Sequence, residues 1–274
     1  MKLIYFTKYY PDLSPGQLGE KARASGADGL DLAVRPGHAI NPDNVAQALP
    51  AAVKIWQGDG LICPLVTADT ALIDPNTPDA RRLFAACGDA GVGLIKLGYW
   101  TFQTGQDYWR QVDAIRAALE GFGKLAGKHA VKAVYHTHSG GYFGCNCAGL
   151  MHLLRDQDPS SLGAYLDTGH LSLEGEPFRQ GLAMVGEYLS AIAAKDYRRQ
   201  PDASVDPPVW KRETVKLGEG FFDWRDGLAA LSEAGFAGPC SVHGEYEHLD
   251  PAGRENWLMD DIALLRRLLG QPGP

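Results

Sequence analysis

Eight short apolar segments alternate along the chain with longer segments that have helical periodicity. The apolar segments comprise residues 2–6, 29–34, 61–66, 94–100, 130–136, 163–166, 191–195 and 240–245. The longer segments 80–90, 108–125, 178–189 and 224–234 carry apolar residues at i, i+3 and i+4, the spacing of an amphipathic helix. The last strand-like segment is followed by another helical one, residues 251–269.

Eight strand–helix units in 274 residues match one particular α/β architecture. A (β/α)8 TIM barrel has eight such units and typically about 250 residues. A doubly wound open sheet more often has five or six strands, and no Gly-x-Gly-x-x-Gly follows the first predicted strand. We therefore predict a single-domain (β/α)8 TIM barrel over residues 1–274.

Charge and composition exclude several classes of protein. The net charge is −7 and the pI is about 5.6, which argues against broad binding of a nucleic-acid backbone. The five cysteines are odd in number and scattered, so they do not indicate a disulfide framework. No signal peptide and no run of eighteen apolar residues is evident, so we expect no membrane partner and a cytoplasmic location.

Two histidines end the fifth predicted strand, in Tyr135-His136-Thr137-His138-Ser139-Gly140. Residues two apart on a strand share a face, so His136 and His138 should point the same way. The C-terminal ends of barrel strands are where active sites are built. A buried histidine that is simply hydrogen-bonded in the core is the alternative interpretation.

Ionisable residues also end other predicted strands. The candidates are Asp31, Arg35 and His38 after strand two, Lys96 on strand four, Asp167 and His170 after strand six, Lys195 on strand seven, and His243 and Glu245 on strand eight. Because buried ionisable groups are costly unless paired or ligating, their concentration at one rim indicates chemistry. Taken singly, Asp167 is equally well explained as the cap of the next turn, and Lys195 with Asp196 as an exposed pair.

One long segment, 198–217, is polar and proline-bearing and contains Trp210. We predict a long irregular loop over the C-terminal mouth of the barrel, acting as a lid or an oligomer contact. The following Gly218-Glu219-Gly220 has two interpretations, a phosphate cradle or a plain turn before a helix capped by Asp223.

The ordered set of motifs resembles the sugar phosphate isomerase/epimerase family of xylose isomerase-like TIM barrels. The matching pieces are Asp31-Leu32-Ala33-Val34-Arg35-Pro36-Gly37-His38, His136-Thr137-His138-Ser139-Gly140, Asp167-Thr168-Gly169-His170, Ala194-Lys195-Asp196, Leu217-Gly218-Glu219-Gly220 and Gly238-Pro239-Cys240-Ser241-Val242-His243-Gly244-Glu245-Tyr246. They follow one another from strand two to strand eight and span nearly the whole chain.

The resemblance implies a divalent metal, Mn, Zn, Co or Mg. Better-known members hold it with Glu, Asp, His and Glu from strands five to eight. Carried over residue by residue, Asp167 and Glu245 match and His136 replaces the first Glu, while Ala193 stands at the strand-seven position and cannot ligate. His138 or His170 is a candidate to complete the site. A metal-free pocket, with positive charge from Lys195, is the alternative.

The resemblance also implies an enzyme that removes a proton next to a carbonyl of a small sugar or sugar derivative, giving an enediolate and then isomerisation or epimerisation. The catalytic residues implied are Glu245, His170 and Lys195. The substrate-binding residues implied are Asp31, Arg35, His38, His138 and Lys96. A lyase or hydratase on keto-sugars or glycosides and a non-catalytic sugar-binding barrel are the alternatives, and a homodimer is compatible with the sequence.

Overall fold

The computed structural model describes residues 1–271. Its strands are β1 (Lys2–Phe6), β2 (Gly29–Val34), β3 (Ile62–Ala68), β4 (Leu94–Lys96), β5 (Lys132–His136), β6 (Leu162–Asp167), β7 (Leu189–Ala194), β8 (Asp196–Asp202), β9 (Val209–Val215) and β10 (Pro239–Val242). Its α-helices are α1 (Pro15–Ala24), α2 (Val45–Gly58), α3 (Pro78–Ala90), α4 (Tyr108–Lys128), α5 (Cys147–Leu154), α6 (Thr168–Glu174), α7 (Phe178–Val185), α8 (Trp224–Glu233) and α9 (Pro251–Leu268).

Eight parallel strands close into a barrel in the order β1-β10-β7-β6-β5-β4-β3-β2. Closure is made where β1 pairs with β10, in the register Lys2 with Pro239 through Tyr5 with Val242. Helices lie between the successive barrel strands. The predicted (β/α)8 barrel is therefore confirmed, and its parallel strands bring their C-terminal ends to one mouth.

Several helices begin at a residue whose side chain caps them. Ser14 and Gln17 form a capping box at the start of α1, and Pro15 occupies the first helical position. Asp223 caps α8, as predicted, by accepting from the N–H groups of Arg225 and Asp226. Such caps satisfy backbone donors that have no partner within the helix.

The barrel interior is filled by a small apolar cluster of Ile4, Leu65, Val134, Tyr165, Ala191 and Ala193. Interior positions of such barrels are packed rather than open. Ala193 is fully buried there and pairs in register with Asp167 on β6 and Ser241 on β10. The cluster forms a packed floor beneath the mouth of the barrel.

Two predicted strands end earlier than expected. The fourth ends at Lys96 rather than 100, because the N–H groups of Gly98 and Tyr99 turn away to the carbonyls of Leu72 and Thr70. A Cβ at Gly98 would lie 2.4 Å from the Thr70 oxygen, so this close approach requires glycine. The eighth barrel strand likewise ends at Val242 rather than 245.

The segment predicted to be irregular, 198–217, is largely a β-hairpin, and this part of the prediction is wrong. β8 and β9 pair antiparallel from Asp196 with Val215 to Asp202 with Val209. Most hairpin residues are exposed, and Trp210 has 71% of its surface accessible. With neither face deeply buried, the hairpin lacks the apolar alternation that predicts a strand.

A single carboxylate fastens the base of this hairpin. Asp196 accepts hydrogen bonds from the backbone N–H groups of Tyr197, Gly218, Gly220 and Phe222 and from the indole of Trp224. Two of these donors belong to Gly218-Glu219-Gly220, so the motif serves the turn rather than a phosphate cradle. The first and last residues of the hairpin are thereby held at one point.

Two expectations about the whole chain concern membranes and cysteines. Within residues 1–271, no helix combines the length and the apolar character needed to span a bilayer. All five cysteines are free, in agreement with the absence of a disulfide framework.

Candidate active site at the barrel mouth

A cavity of about 140 Å³ lies at the C-terminal mouth of the barrel. Each of the eight barrel strands, or the segment directly after it, contributes to its lining. The lining residues are Phe6, Lys8, Arg35, Thr67, Thr70, Lys96, Tyr99, His136, His138, Tyr142, Tyr165, His170, Lys195, His243 and Glu245. Chemistry-bearing residues far apart in sequence meet there because parallel strands end on the same side.

Eight of the ten predicted site residues lie in or directly beside this cavity. Seven line it, namely Arg35, Lys96, His136, His138, His170, Lys195 and Glu245. The eighth, Asp167, is completely buried behind them. Its Oδ2 lies 3.4 Å from Nε2 of His136, 3.6 Å from Nζ of Lys195 and 3.9 Å from Nε2 of His170.

The other two, Asp31 and His38, do not line the cavity. Asp31 lies in the barrel interior and accepts hydrogen bonds from Thr67 (2.7 Å), Ser241 (2.8 Å) and Tyr165 (3.2 Å). Burial raises its pKa to about 6. His38 is half-buried in the turn after β2, where its N–H donates to the Arg35 carbonyl.

Asp167 caps the next helix, which is one of the two roles that the sequence left open. Its Oδ1 accepts from the N–H of His170 at 2.9 Å and caps α6. Its Oδ2, by contrast, is buried without a hydrogen-bond partner among the described residues, as are Nε2 of His136, Nε2 of His170 and Nδ1 of His243. Buried polar atoms are normally paired, so this convergence calls for a ligand.

Three of these residues have the arrangement of a metal site. One carboxylate oxygen of Asp167 and one nitrogen each of His136 and His243 lie within 4.8 Å of one another. Two ligands bound at about 2.1 Å to the same ion lie up to about 4.2 Å apart, and the distances from Asp167 Oδ2 to His136 (3.4 Å) and to His243 (3.9 Å) fall within that limit. The donor set therefore fits a divalent cation.

Hydrogen bonds behind the cluster orient both imidazoles. The Tyr165 hydroxyl donates to Asp31 and so accepts from Nε2 of His243 at 3.0 Å, because a hydroxyl has one proton to give. Nδ1 of His243 is then the unprotonated nitrogen that faces Asp167. On the other side, Nδ1 of His136 lies 2.9 Å from the Tyr99 hydroxyl, which leaves Nε2 for the site. Such outer contacts commonly set the tautomer of a ligating histidine.

Glu245, which the resemblance implied as a third ligand, lies outside this cluster. Its Oε2 forms a short ion pair with Lys195, and its Oε1 accepts from Lys8 at 2.6 Å. His243, two residues earlier, stands beside Asp167 instead, with Nδ1 3.9 Å from Oδ2 of Asp167. Ala193 is buried in the barrel interior, and Lys195 supplies the positive charge at the end of β7.

Burial and charge determine the protonation of these groups. Burial opposes ionisation of Asp167 and Glu245, but the Lys195 ammonium, which lies beside both carboxylates, holds both pKa values well below the ordinary range. Burial opposes a charge on Lys195 too, yet Glu245 and Asp167 raise its pKa well above normal. Burial lowers the pKa of His136, His170 and His243, so these imidazoles are neutral at pH 7, the form that binds metal.

The hairpin adds residues above the cavity. Arg212 of β9 donates to the Ser139 hydroxyl at 3.0 Å, and that hydroxyl lies 2.8 Å from Nδ1 of His170. A second cavity of about 290 Å³ is lined by Lys8, His138, His170, Lys195, Tyr197, Arg212, Thr214, Glu245 and Glu247. Residues from β8 and β9 therefore adjoin the predicted catalytic groups.

Sequence reasoning missed three residues that shape the site, Lys8, Tyr99 and Tyr165, and gave no role of its own to a fourth, His243. The sequence marks His243 only as the face-mate of Glu245, although its imidazole and its position at a strand end are a usable signal. Lys8 lies in the turn after β1, and Tyr99 and Tyr165 resemble ordinary core aromatics in the sequence. The hydrogen bonds of Tyr99 to His136, and of Tyr165 to His243 and Asp31, become evident only in three dimensions.

Comparison with known families fits this geometry. A family model described as xylose isomerase-like TIM barrel matches residues 20–268. The chain belongs to that family. The match covers β2 to β10 and hence almost every strand end that lines the mouth, in agreement with the resemblance of the motifs. No curated protein matches the sequence significantly.

Solved structures of the same fold share little sequence with the chain. D-psicose 3-epimerase from Clostridium cellulolyticum H10, solved with D-tagatose, has a TM-score of 0.75 at 14% identity over 98% of this chain and 99% of that one. A 3-keto-D-glucoside 4-epimerase from E. coli has a TM-score of 0.72 at 16% identity over 97% and 99%. A xylose isomerase-like TIM barrel protein from Mycobacterium smegmatis in complex with magnesium has a TM-score of 0.68 at 15% identity over 94% and 90%. At these identities the likeness shows the fold.

Proposed function

We propose that the protein is an isomerase-type enzyme that epimerises or isomerises a small keto-sugar. The observation that carries the proposal is Glu245, a carboxylate held between Lys8 and Lys195 in a small cavity beside the His136, Asp167 and His243 cluster. Solved structures with this fold include enzymes named as sugar epimerases, which supports this class of reaction. A base next to a fixed cation is what proton removal beside a carbonyl requires.

In the proposed reaction Glu245 removes a proton from the carbon next to the carbonyl. The C–H electron pair forms the new C=C bond, and the carbonyl electron pair moves to oxygen to give an enediolate. The Lys195 ammonium, released from Glu245 as that carboxylate takes up the proton, stabilises the new negative charge on oxygen. Return of a proton to the other face of the same carbon gives the epimer. Return of a proton to the former carbonyl carbon gives the isomer, provided that the hydroxyl proton of the neighbouring carbon is transferred to the enediolate oxygen, so that the neighbouring carbon becomes the new carbonyl. His170 is assigned the second proton transfer.

The three-residue cluster is assigned to a divalent metal. His136, Asp167 and His243 would hold it, and two imidazoles with one carboxylate suit Mn²⁺, Co²⁺ or Zn²⁺ better than Mg²⁺. When bound, such an ion acts as a Lewis acid that polarises a carbonyl oxygen. His138 and His170 lie next to the cluster, with ring centroids 3.9 Å apart, and are assigned to contacts with substrate hydroxyls.

Exchange of hydrogen with solvent tests this proposal directly. The protein is incubated in D₂O with D-fructose, D-tagatose and D-allulose, each with and without added Mn²⁺, and deuterium at the carbons next to the carbonyl is followed by NMR. We expect exchange with at least one sugar and a loss of about 10²-fold or more in Glu245→Gln, the usual contribution of a general base. Glu187→Gln, at an exposed position, is the matched control.

Undiminished exchange in Glu245→Gln would overturn the assignment of the base. A product with one water fewer than the substrate would identify a lyase instead. Binding of a sugar without any exchange, with metal present, would identify a binding protein.

A further inference from the structure

Two cationic side chains on one side of the cavity have no anionic partner. Arg35 follows β2 and Lys96 ends β4, with Thr67 of β3 between their strands. Throughout residues 1–271, neither has a carboxylate within 4.0 Å. Lys8 and Lys195, by contrast, both pair with Glu245. The unpaired charges are therefore concentrated in one part of the lining.

The absence of an anionic partner is unfavourable where a charged group is buried. Lys96 is 2% exposed, and Nε of Arg35 is buried without a hydrogen-bond partner. An unpaired buried charge is unfavourable. The Tyr99 ring, whose centroid lies 3.5 Å from Nζ of Lys96, compensates only part of this penalty through a cation–π contact. Burial and the neighbouring charge of Arg35 accordingly lower the pKa of Lys96 well below its ordinary value.

Asp31 lies more than 4.0 Å from both cations and offsets their charge only partly. Its carboxylate lies beneath the cavity and already accepts from Thr67, Ser241 and Tyr165. The cavity as a whole presents four cations, Lys8, Arg35, Lys96 and Lys195, to the two carboxylates Glu245 and Asp167. A positive excess here contrasts with the net charge of −7 for the chain.

We propose that Arg35 and Lys96 bind an anionic group of the substrate, so that the substrate is a keto-sugar acid or a sugar phosphate rather than a neutral sugar. This inference rests on the proposed function and specifies its substrate class. The planar guanidinium binds a carboxylate or phosphate through paired hydrogen bonds, and the lysine adds a point charge. The hydroxyls of Thr67 and Thr70, which line the same side of the cavity, add hydrogen-bond donors.

The barrel order supports the placement of this anion. Four steps along the closed sheet separate β3 from β7, so the strands lie on opposite sides of the eight-stranded ring. Arg35 and Lys96 flank β3, and Lys195 follows β7. A substrate whose anion lies between Arg35 and Lys96 therefore extends across the mouth toward Lys195 and Glu245, where the proton transfer is proposed.

Three ligands with one carbon skeleton test the inference. D-fructose, D-fructuronate and D-fructose 6-phosphate differ in the group at C6, which is a hydroxymethyl, a carboxylate and a phosphate ester. Binding to the full-length protein is measured by isothermal titration calorimetry. We expect at least one anion to bind tenfold or more tightly than D-fructose, and the tighter of the two identifies carboxylate or phosphate as the natural group.

Variants show whether Arg35 and Lys96 cause the preference. Arg35→Gln and Lys96→Met should each remove most of it while changing D-fructose affinity less than about twofold. Arg267→Gln, exposed in the last turn of α9, is the control for loss of one positive charge. Equal or tighter binding of D-fructose, no binding of either anion at millimolar concentration, or a preference that survives in both variants would overturn the inference.

The binding experiment gives its result whether or not the protein turns a sugar over. An anion preference without deuterium exchange on any probe would leave this inference standing and refute the proposed function. Deuterium exchange on neutral sugars without a preference for anions would support the proposed function and refute this inference.

Discussion

The Tyr165 hydroxyl lies 3.0 Å from Nε2 of His243 and 3.2 Å from Oδ2 of Asp31. A carboxylate beneath the cavity thereby determines which nitrogen of His243 carries the proton. The nitrogen left without a proton faces Asp167, in the cluster that we assign to a metal. Asp31 thus influences the site without touching the cavity.

Removal of the Tyr165 hydroxyl should weaken metal binding. Tyr165→Phe leaves His243 free to place its proton on Nδ1, so we expect the affinity for Mn²⁺ or Zn²⁺ to fall about 10–100-fold, as for other outer contacts of ligating histidines. Titration against a competing chelator measures this. Tyr188→Phe is the control, because it removes a hydroxyl that bonds the Gln157 carbonyl away from the mouth. Unchanged affinity in Tyr165→Phe would show that the hydrogen bond does not set the tautomer.

Metal content should distinguish His243 from Glu245 as a ligand. We expect His243→Ala and His136→Ala to lose bound metal after equilibration with Mn²⁺ and gel filtration, since each removes a member of the cluster. Glu245→Gln should keep its metal while losing deuterium exchange, because Glu245 is paired with two lysines outside the cluster. Elemental analysis of the purified variants measures the result. Metal loss in Glu245→Gln with retention in His243→Ala would restore the ligand set implied by the resemblance.

Substitution by methionine at two buried lysines should change the free energy of unfolding in opposite directions. Lys96→Met removes an unpaired buried charge at similar volume, so we expect the free energy of unfolding to rise by about 1–3 kcal/mol. Lys195→Met leaves Asp167 and Glu245 without their shared cation, so we expect a decrease of about 3–5 kcal/mol. Urea denaturation of the metal-free proteins measures both. A Lys96→Met variant less stable than the parent would mean that Lys96 is already neutralised in the free protein.

Asp261 should make stability depend on pH. It accepts from the Leu217 N–H at 2.9 Å and from the Tyr246 hydroxyl, and burial raises its pKa to about 7. Since its pKa in the unfolded chain is about 3.9, the folded state binds more protons between pH 4 and 7. The unfolding free energy therefore falls as pH rises through this window, by about 4 kcal/mol at most.

Asp261→Asn cannot ionise, so its stability should decline less from pH 4.5 to 7.5. Asp113→Asn, at an exposed position on α4, is the control. Urea denaturation at several pH values measures the slopes. If the free energy of unfolding changed with pH equally in Asp261→Asn and in the parent protein, the Asp261 carboxyl would titrate normally.

Sequence periodicity was sufficient to predict the barrel, because each strand is buried and each helix has one apolar face. It also predicted most of the mouth, since a buried ionisable residue at the end of a parallel strand is costly unless it is paired or binds a ligand. The hairpin was not predictable, because residues such as Trp210 are exposed and give no alternating pattern.

Pairing within the site depends on three-dimensional geometry that one sequence does not contain. Glu245 and His243 share a strand end, but only the positions of Lys8 and Lys195 decide that Glu245 is ion-paired while His243 faces Asp167. The same holds for Lys96. Its lack of a partner is a property of its surroundings and not of its own segment.

The carboxylate of Asp196 has a consequence for how this protein varies. Because it accepts hydrogen bonds from residues at the start of the first hairpin strand and just beyond the second, both ends of the hairpin are fixed whatever the length of its tip. We expect insertions or exchanges between Asp202 and Val209 to leave the strand register and Lys195 undisturbed, whereas changes at Arg212, which bonds Ser139 beside His170, would reach the site. The tip is therefore the place where a change of length, or a grafted segment, is compatible with an unchanged cavity.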